Sequence, residues 1–154
     1  MQTLRAPTGD EMHRLYMMGY DAWGDGDTKA EHLLACETSE KYRAGEWFVW
    51  DLDGQPVASL LVLQQRYKLP PGSIGLAAVA TDPDCRRRGY AYALIEAVIN
   101  HFVEQQNTQA VFLHSDIDLN FYRRLGFEVA APGSHCMVKK IATDFHFDQL
   151  PDYF

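Results

Sequence analysis

The chain has 154 residues, 47% hydrophobic and 23% charged, the balance of one soluble globular domain long enough to bury a core. Its formal net charge of −7 argues against general nucleic-acid binding, which needs basic surface to displace counterions, and mildly favours cationic small molecules as partners. No run approaches the roughly 18 apolar residues of a membrane span.

The opening stretch "MQTLRAPTGDEMHRLY" lacks the apolar centre of a signal peptide, reads as helical and amphipathic, and gives the expectation of a cytoplasmic protein. Met12, Leu15, Tyr16 and Met18 recur at helical spacing through "DEMHRLYMMGYDAW". "DTKAEHLLACET" is a second helix, capped by Asp27 or Thr28, with the turn-forming "WGDGD" between the two. "EWFVWDLDGQPVASLLVLQQ" is a hairpin about Asp53-Gly54, and "LPPGS" leads into a third strand, "IGLAAVAT". Beyond "DPDCRRRG", the residues Ala91, Leu94, Ile95, Val98, Ile99 and Phe102 form the buried stripe of a helix. "QAVFLHS" is a strand and "DLNFYRRLGF" a short helix ending at Gly126. "FEVA" and "HCMVKKI" close as a hairpin, and the aromatic tail "ATDFHFDQLPDYF" packs on the body.

The predicted order is α-α-β-β-β-α-β-α-β-β, an α+β fold whose mixed sheet of about six to seven strands is flanked by helices, in one domain over residues 1–154. The central strand–helix–strand unit should set residues 74–81 and 110–115 side by side and parallel. Cys36, Cys85 and Cys136 are far apart, no Cys-x-x-Cys exists and the six histidines are scattered, so neither disulfides nor a metal is expected.

The turn at 82–91 joins a strand's C-terminal end to a helix N-terminus, where backbone N–H groups lack helical partners and the dipole favours an anion. Gly89 allows close backbone approach, and Arg86, Arg87 and Arg88 add charge suited to phosphate oxygens. Neither common nucleotide-loop pattern is present. Three arginines could equally be a solvated surface. The preceding strand changes that balance: Gly75, Ala77, Ala78 and Ala80 deny it bulky packing, as when a ligand lies close along a backbone.

"RRRGYA", from Arg86 to Ala91, resembles the Arg/Gln-x-x-Gly-x-Gly/Ala signature of the GNAT superfamily of acyl-CoA-dependent N-acyltransferases. "VATDPDCR" is similar to that family's strand end, with Thr81 in place of a valine, and "NFYRRLGF" to its later Tyr-x-x-x-Gly-Phe motif. The resemblance spans residues 45–140 and weakens over the N-terminal helices.

It implies a GNAT-like fold and transfer of acetyl from acetyl-CoA to an amine by direct attack in a ternary complex. The pyrophosphate would sit on the amides of Arg87, Arg88, Gly89, Tyr90 and Ala91, with Arg86 opening the motif. The pantetheine arm would run along Val79, Ala80 and Thr81, with the Val79 amide facing the thioester carbonyl. Tyr122 would protonate the leaving thiolate. Ser115 stands where many members carry an asparagine, and no acid on the 73–81 strand offers a general base; Asp116 and His114 are weak candidates.

The acceptor side of that fold is built from the N-terminal helices, their loop and a later hairpin. Those segments hold Tyr16, Tyr20, Asp21, Trp23, Asp25, Asp27, Trp47 and Trp50, acids and aromatics suited to a cationic amine. Tyr20, Trp23, Asp25 and Trp47 are the candidates taken forward, although core packing and turn or cap roles would explain the same residues. A CoA-binding module without catalysis, acylation of a protein or aminoacyl-tRNA, and a homodimer are left open.

Overall fold

The computed structural model describes residues 1–115 and 118–154. Among these residues seven strands form one mixed sheet in the order β1-β2-β3-β4-β5-β7-β6. By their internal contacts the residues divide into two compact units: Met1–Leu61 with Ala78–Val98, and Val62–Ala77 with Ile99–Phe154. Among the described residues no helix is long and apolar enough to cross a membrane.

In the first unit the N-terminus departs from the expected helix. Gln2–Arg5 is a strand, β1, not helix. It pairs antiparallel with β2 (Glu46–Leu52), Gln2 opposite Leu52 and Arg5 opposite Val49. Arg5 extends the pairing with ion pairs to Glu11 and to Asp51, each at 2.8 Å. Hydrogen bonding from Arg5 holds the Glu11 carboxyl at about 2.

The expected first helix is also interrupted. After a 3-10 turn at Gly9–Glu11 come α1 (Met12–Met18) and the single turn α2 (Tyr20–Trp23). The break falls at Gly19, against which the Trp23 indole packs so closely that an added Cβ would stand 2.1 Å from its ring. Next, α3 (Lys29–Thr38) is capped by Thr28, whose side chain accepts from the Glu31 amide while Glu31 reaches back to the Thr28 amide. A further short helix, α4 (Glu40–Ala44), had not been expected; Ser39 caps it. β3 (Gln55–Leu63) follows β2 across Asp53 and Gly54, both at positive φ, the backbone a two-residue hairpin needs. Leu15 and Met18 pack with Val49, and with Met12, Trp47 and Ala80 around them.

In the second unit, the first part of β4 (Ser73–Thr81) runs parallel to β5 (Ala110–His114), in register from Ser73↔Ala110 to Leu76↔Leu113. The intervening helix α5 spans Tyr90–Gln106, in the first unit up to Val98 and in the second from Ile99; Leu94, Ile95, Val98, Ile99 and Phe102 of the expected stripe are buried, while Ala91 at its start is half-buried. Asp118 caps α6 (Leu119–Arg124), which ends into Gly126 at φ 95°. β7 (Cys136–Lys140) lies antiparallel to β5 and to the two-residue β6 (Glu128–Val129).

The aromatic tail packs as expected, and it corrects one inference. Gly75 does not leave room for a ligand: the Phe154 ring lies over it, and an added Cβ would stand 2.5 Å from Cζ and 2.6 Å from Cε1. Phe154 is buried, and Phe145 and Phe147 pack edge-on against Phe112. Gly75→Ala should therefore displace the ring and cost about 1–3 kcal/mol, read as a lower urea midpoint at unchanged m. Combined with Phe154→Ala, the two losses should be less than additive. An unaltered midpoint in Gly75→Ala would show that the ring is not held there.

Candidate active site

The second part of β4, the turn after it and the first turn of α5 form one continuous stretch in the first unit. Burial changes along the strand: Ser73–Leu76 are buried, whereas Ala77–Thr81 are half-buried. One residue past the change stands Ala78, with φ 52°, left-handed backbone in a residue whose Cβ disfavours it. Such a residue breaks the pleat and turns the backbone groups that follow away from regular ladder positions. Val79, Ala80 and Thr81, the predicted pantetheine strand, come directly after it.

Asp82 organises the turn. Its amide donates to the Val57 carbonyl at 2.9 Å, and its Oδ1 accepts from the Asp84 amide at 3.0 Å, starting a 3-10 turn at Pro83–Cys85. The chain then passes through left-handed conformations at Arg87 (φ 66°) and Gly89 (φ 81°) before α5 begins at Tyr90. An added Cβ at Gly89 meets nothing within 4 Å. The glycine thus serves the backbone conformation and leaves an open face. The first amides of this 17-residue helix have no carbonyl partner within it, and the peptide dipoles add partial positive charge. Arg87 and Arg88 are exposed beside them. The six predicted residues from Arg86 to Ala91 thus form an exposed, electropositive turn whose helix-start amides suit a phosphate-bearing ligand.

Arg86 behaves differently from its two neighbours. Its Nη1 and Nη2 donate to the Asp21 carboxylate at 2.6 and 2.9 Å, Nη2 also to the Met18 carbonyl at 3.2 Å, and Nε to the Thr81 carbonyl at 3.3 Å. The hydrogen bonds from Arg86 hold the Asp21 carboxyl below its usual range. No spacing rule connects residues 65 positions apart, so neither partner was legible as a pair.

The acceptor-side candidates fall into two groups of the same unit. Tyr20 donates its hydroxyl to the Asp27 carbonyl at 2.6 Å and stacks obliquely on His32, closing the loop that Trp23 anchors on Gly19. Asp25 is exposed at the tip of that loop, with φ 48°. Trp47 instead belongs to an aromatic cluster with Tyr16 and Tyr42, at ring-centroid distances of 5.9 and 5.2 Å, and donates from Nε1 to the Tyr42 carbonyl. Burial pushes the Tyr42 phenol up to about 12 and raises that of Tyr16. Tyr42 escaped the sequence reading because its helix did; the Ser39 cap was the available signal.

In the second unit Tyr122 lies on α6, 4% exposed, with ring centroids 5.1 Å from Phe121 and 6.2 Å from Phe127. Its carbonyl accepts from the amides of Leu125 and Phe127 at the helix end. Ser115 is buried and donates its amide to the His135 carbonyl at 2.8 Å. His114 is exposed at the end of β5, its ring 5.5 Å from that of His135. Asp116 lies outside the described residues.

Solved structures share this fold at low identity. A GNAT family acetyltransferase from Brucella melitensis, in complex with acetyl-CoA, matches at a TM-score of 0.71 and 15% identity over 98% of this chain and 95% of that one. A GNAT family N-acetyltransferase (YhbS) from Escherichia coli in complex with CoA matches at 0.67 and 22%, covering 93% and 83%. The ribosomal-protein-S18-alanine N-acetyltransferase from Escherichia coli matches at 0.65 and 18%, covering 96% and 100%. No curated protein sequence matches the chain. The model of the acetyltransferase (GNAT) family matches residues 9–127, a span that contains the β4 end, the arginine turn, α5 and the Tyr-x-x-x-Gly-Phe motif. By that match, and with the fold in agreement, the chain belongs to the GNAT family of acetyltransferases.

Proposed function

We propose that this acetyltransferase, acting as one domain over residues 1–154, moves the acetyl group of acetyl-CoA to the primary amine of a cationic acceptor by direct attack in a ternary complex. Family membership carries the coarser statement, acetyl-CoA-dependent acetylation. The finer reading is supported chiefly by the backbone between Ala78 and Tyr90, left-handed at Ala78, Arg87 and Gly89 and opening onto a long helix.

In this reading the amides of Arg87, Arg88, Gly89, Tyr90 and Ala91 bind the pyrophosphate, and the arginine side chains at 87 and 88 supply charge for a further phosphate. The backbone of Val79, Ala80 and Thr81 pairs with the pantetheine arm as an added strand would. The Val79 N–H donates to the thioester oxygen and stabilises the negative charge that forms there as the amine attacks. A C–N bond forms and the C–S bond breaks. The departing thiolate, with an intrinsic pKa of roughly 8.5, takes a proton from the Tyr122 hydroxyl. The proton lost by the amine goes to water or to a group outside Ser73–Thr81, which holds no acid or histidine.

Tyr20, Trp23, Asp25 and Trp47 are the proposed acceptor-side residues. Asp21 is neutralised by Arg86, so Asp25 and Asp27 provide the negative charge that this loop offers a cation. Likeness of fold selects no acceptor.

The test is release of free CoA thiol from acetyl-CoA in the presence of primary amines: spermidine, an alkyl monoamine and a peptide with a free N-terminal alanine. Amine-dependent release, greater for the cationic acceptor than for the neutral-tailed one, is expected. Binding of acetyl-CoA without turnover on any amine would instead support a non-catalytic CoA-binding module.

A further inference from the structure

Arg86 joins three elements at once. Its guanidinium holds the last carbonyl of α1 (Met18), the carboxylate of α2 (Asp21) and the last carbonyl of β4 (Thr81). A second ion pair crosses the same joint in the opposite sense, from Arg14 of α1 to Asp82 of the turn at 3.4 Å. The element so held needs holding. α2 is one turn of four residues between Gly19 and Gly24, too short to be stable by its own hydrogen bonds.

We propose that Arg86 and Asp21 are a positioning pair, through which acetyl-CoA bound at the arginine turn fixes the acceptor-side segment from Tyr20 to Asp27. The inference rests on the reading of residues 86–91 as the cofactor turn. A ligand on the amides of Arg87 to Ala91 narrows the backbone freedom of that turn, and Arg86 is its first residue. Once its Cα is held, less entropy is lost in keeping its planar fork on Asp21, and the two-toothed bond becomes more populated. The carboxylate carries α2 with it, and Tyr20 and Trp23 extend the effect across the loop through the Asp27 carbonyl and Gly19. Coupling of this kind is reciprocal: removing Asp21 should break the communication while leaving the cradle itself in place. Neither residue touches the reacting atoms in this account; both act through the segment they position.

The experiment is amide hydrogen exchange on the full chain with and without saturating acetyl-CoA, alongside calorimetry of acetyl-CoA binding. The amides to follow are those of Ala22, Trp23 and Gly24, which bond to the carbonyls of Gly19 and Tyr20. In the native protein, acetyl-CoA should slow their exchange by about fivefold or more, the lower end of ordinary coupling between sites. In Asp21→Asn they should exchange faster without ligand, and the response to acetyl-CoA should vanish. Affinity for acetyl-CoA should fall by no more than that same factor. Asp21→Glu, which restores the carboxylate, should restore the response; a merely structural aspartate would show no such ligand-linked rescue. Binding to the native protein without slowing of these amides, or a response that survives in Asp21→Asn, overturns the positioning pair alone. No heat of binding in the native protein overturns the cofactor turn, and the coupling with it.

Discussion

Gly89→Asp is expected to abolish the thermal stabilisation that acetyl-CoA gives the native protein. Ligand at 100 times its Kd adds about 2.7 kcal/mol to stability, which for a chain of this size raises Tm by roughly 5–11 °C. The substitution has a moderate effect on the free protein, for two reasons. The new Cβ meets no atom within 4 Å, and aspartate tolerates the left-handed φ of 81° better than most residues. The strain is on the order of 1–2 kcal/mol and lowers Tm without preventing folding. What the carboxylate does to the ligand is larger, because it sets a negative charge where the amides of Arg88, Gly89 and Tyr90 would receive phosphate. Gly89→Ala is the control that keeps the strain and omits the charge; part of the ligand shift should survive in it. A native protein that folds, yet shows no shift with acetyl-CoA, would remove the cofactor assignment of the whole turn.

The second large effect is expected in turnover. Tyr122→Phe should lower kcat by about a hundredfold, near the bottom of the usual range for a lost general acid, because a thiolate is a tolerable leaving group even unprotonated. Its acetyl-CoA affinity should be unchanged. The variant keeps the ring that packs beside Phe121 and Phe127, so its melting temperature should fall by no more than a few degrees, the loss of about one hydrogen bond. Loss of activity with the fold intact would assign the proton to the hydroxyl. Native turnover in the phenylalanine variant would make Tyr122 a residue of the core, a role that its burial suits equally well.

The parts of the molecule legible in the sequence are those whose cause is local. The apolar stripe of α5, a helix cap at Asp27 or Thr28, which the structure assigns to Thr28, the Asp53-Gly54 turn and the strand-to-helix turn with its arginines each depend on neighbours a few positions away. The parts that escaped depend on distant partners. β1 is four residues long, too short for a periodicity, and it exists because Arg5 and Leu4 find Val49 and Trp50 across the sheet. Gly75 offered a small side chain but not the identity of what lies over it, a ring 79 positions further on. At Ala78 the left-handed backbone carried no glycine or asparagine to announce it. Arg86 was distinguishable in the sequence only as the residue that opens the motif; its partner Asp21, which separates its side chain from those of Arg87 and Arg88, was not. For the candidate site, the motif was visible and its mechanical connections were not.

The change of character within β4 has a bearing on how such a chain can diversify. Ser73 to Leu76 are buried and in register with β5, so variation there is filtered by how much folded protein survives. Past the kink at Ala78 the strand is half-buried, and in the proposed reading its backbone rather than its side chains contacts the cofactor. Side chains at Val79 and Thr81 are therefore freer to vary in kind while the backbone contact is retained, whereas Ala80 is held small by its packing on Leu15, Met18 and Val49. One nine-residue strand thus offers a lineage a fixed half and an adjustable half, with the adjustable half next to the chemistry. Acyl-chain preference could drift along it without the fold being renegotiated.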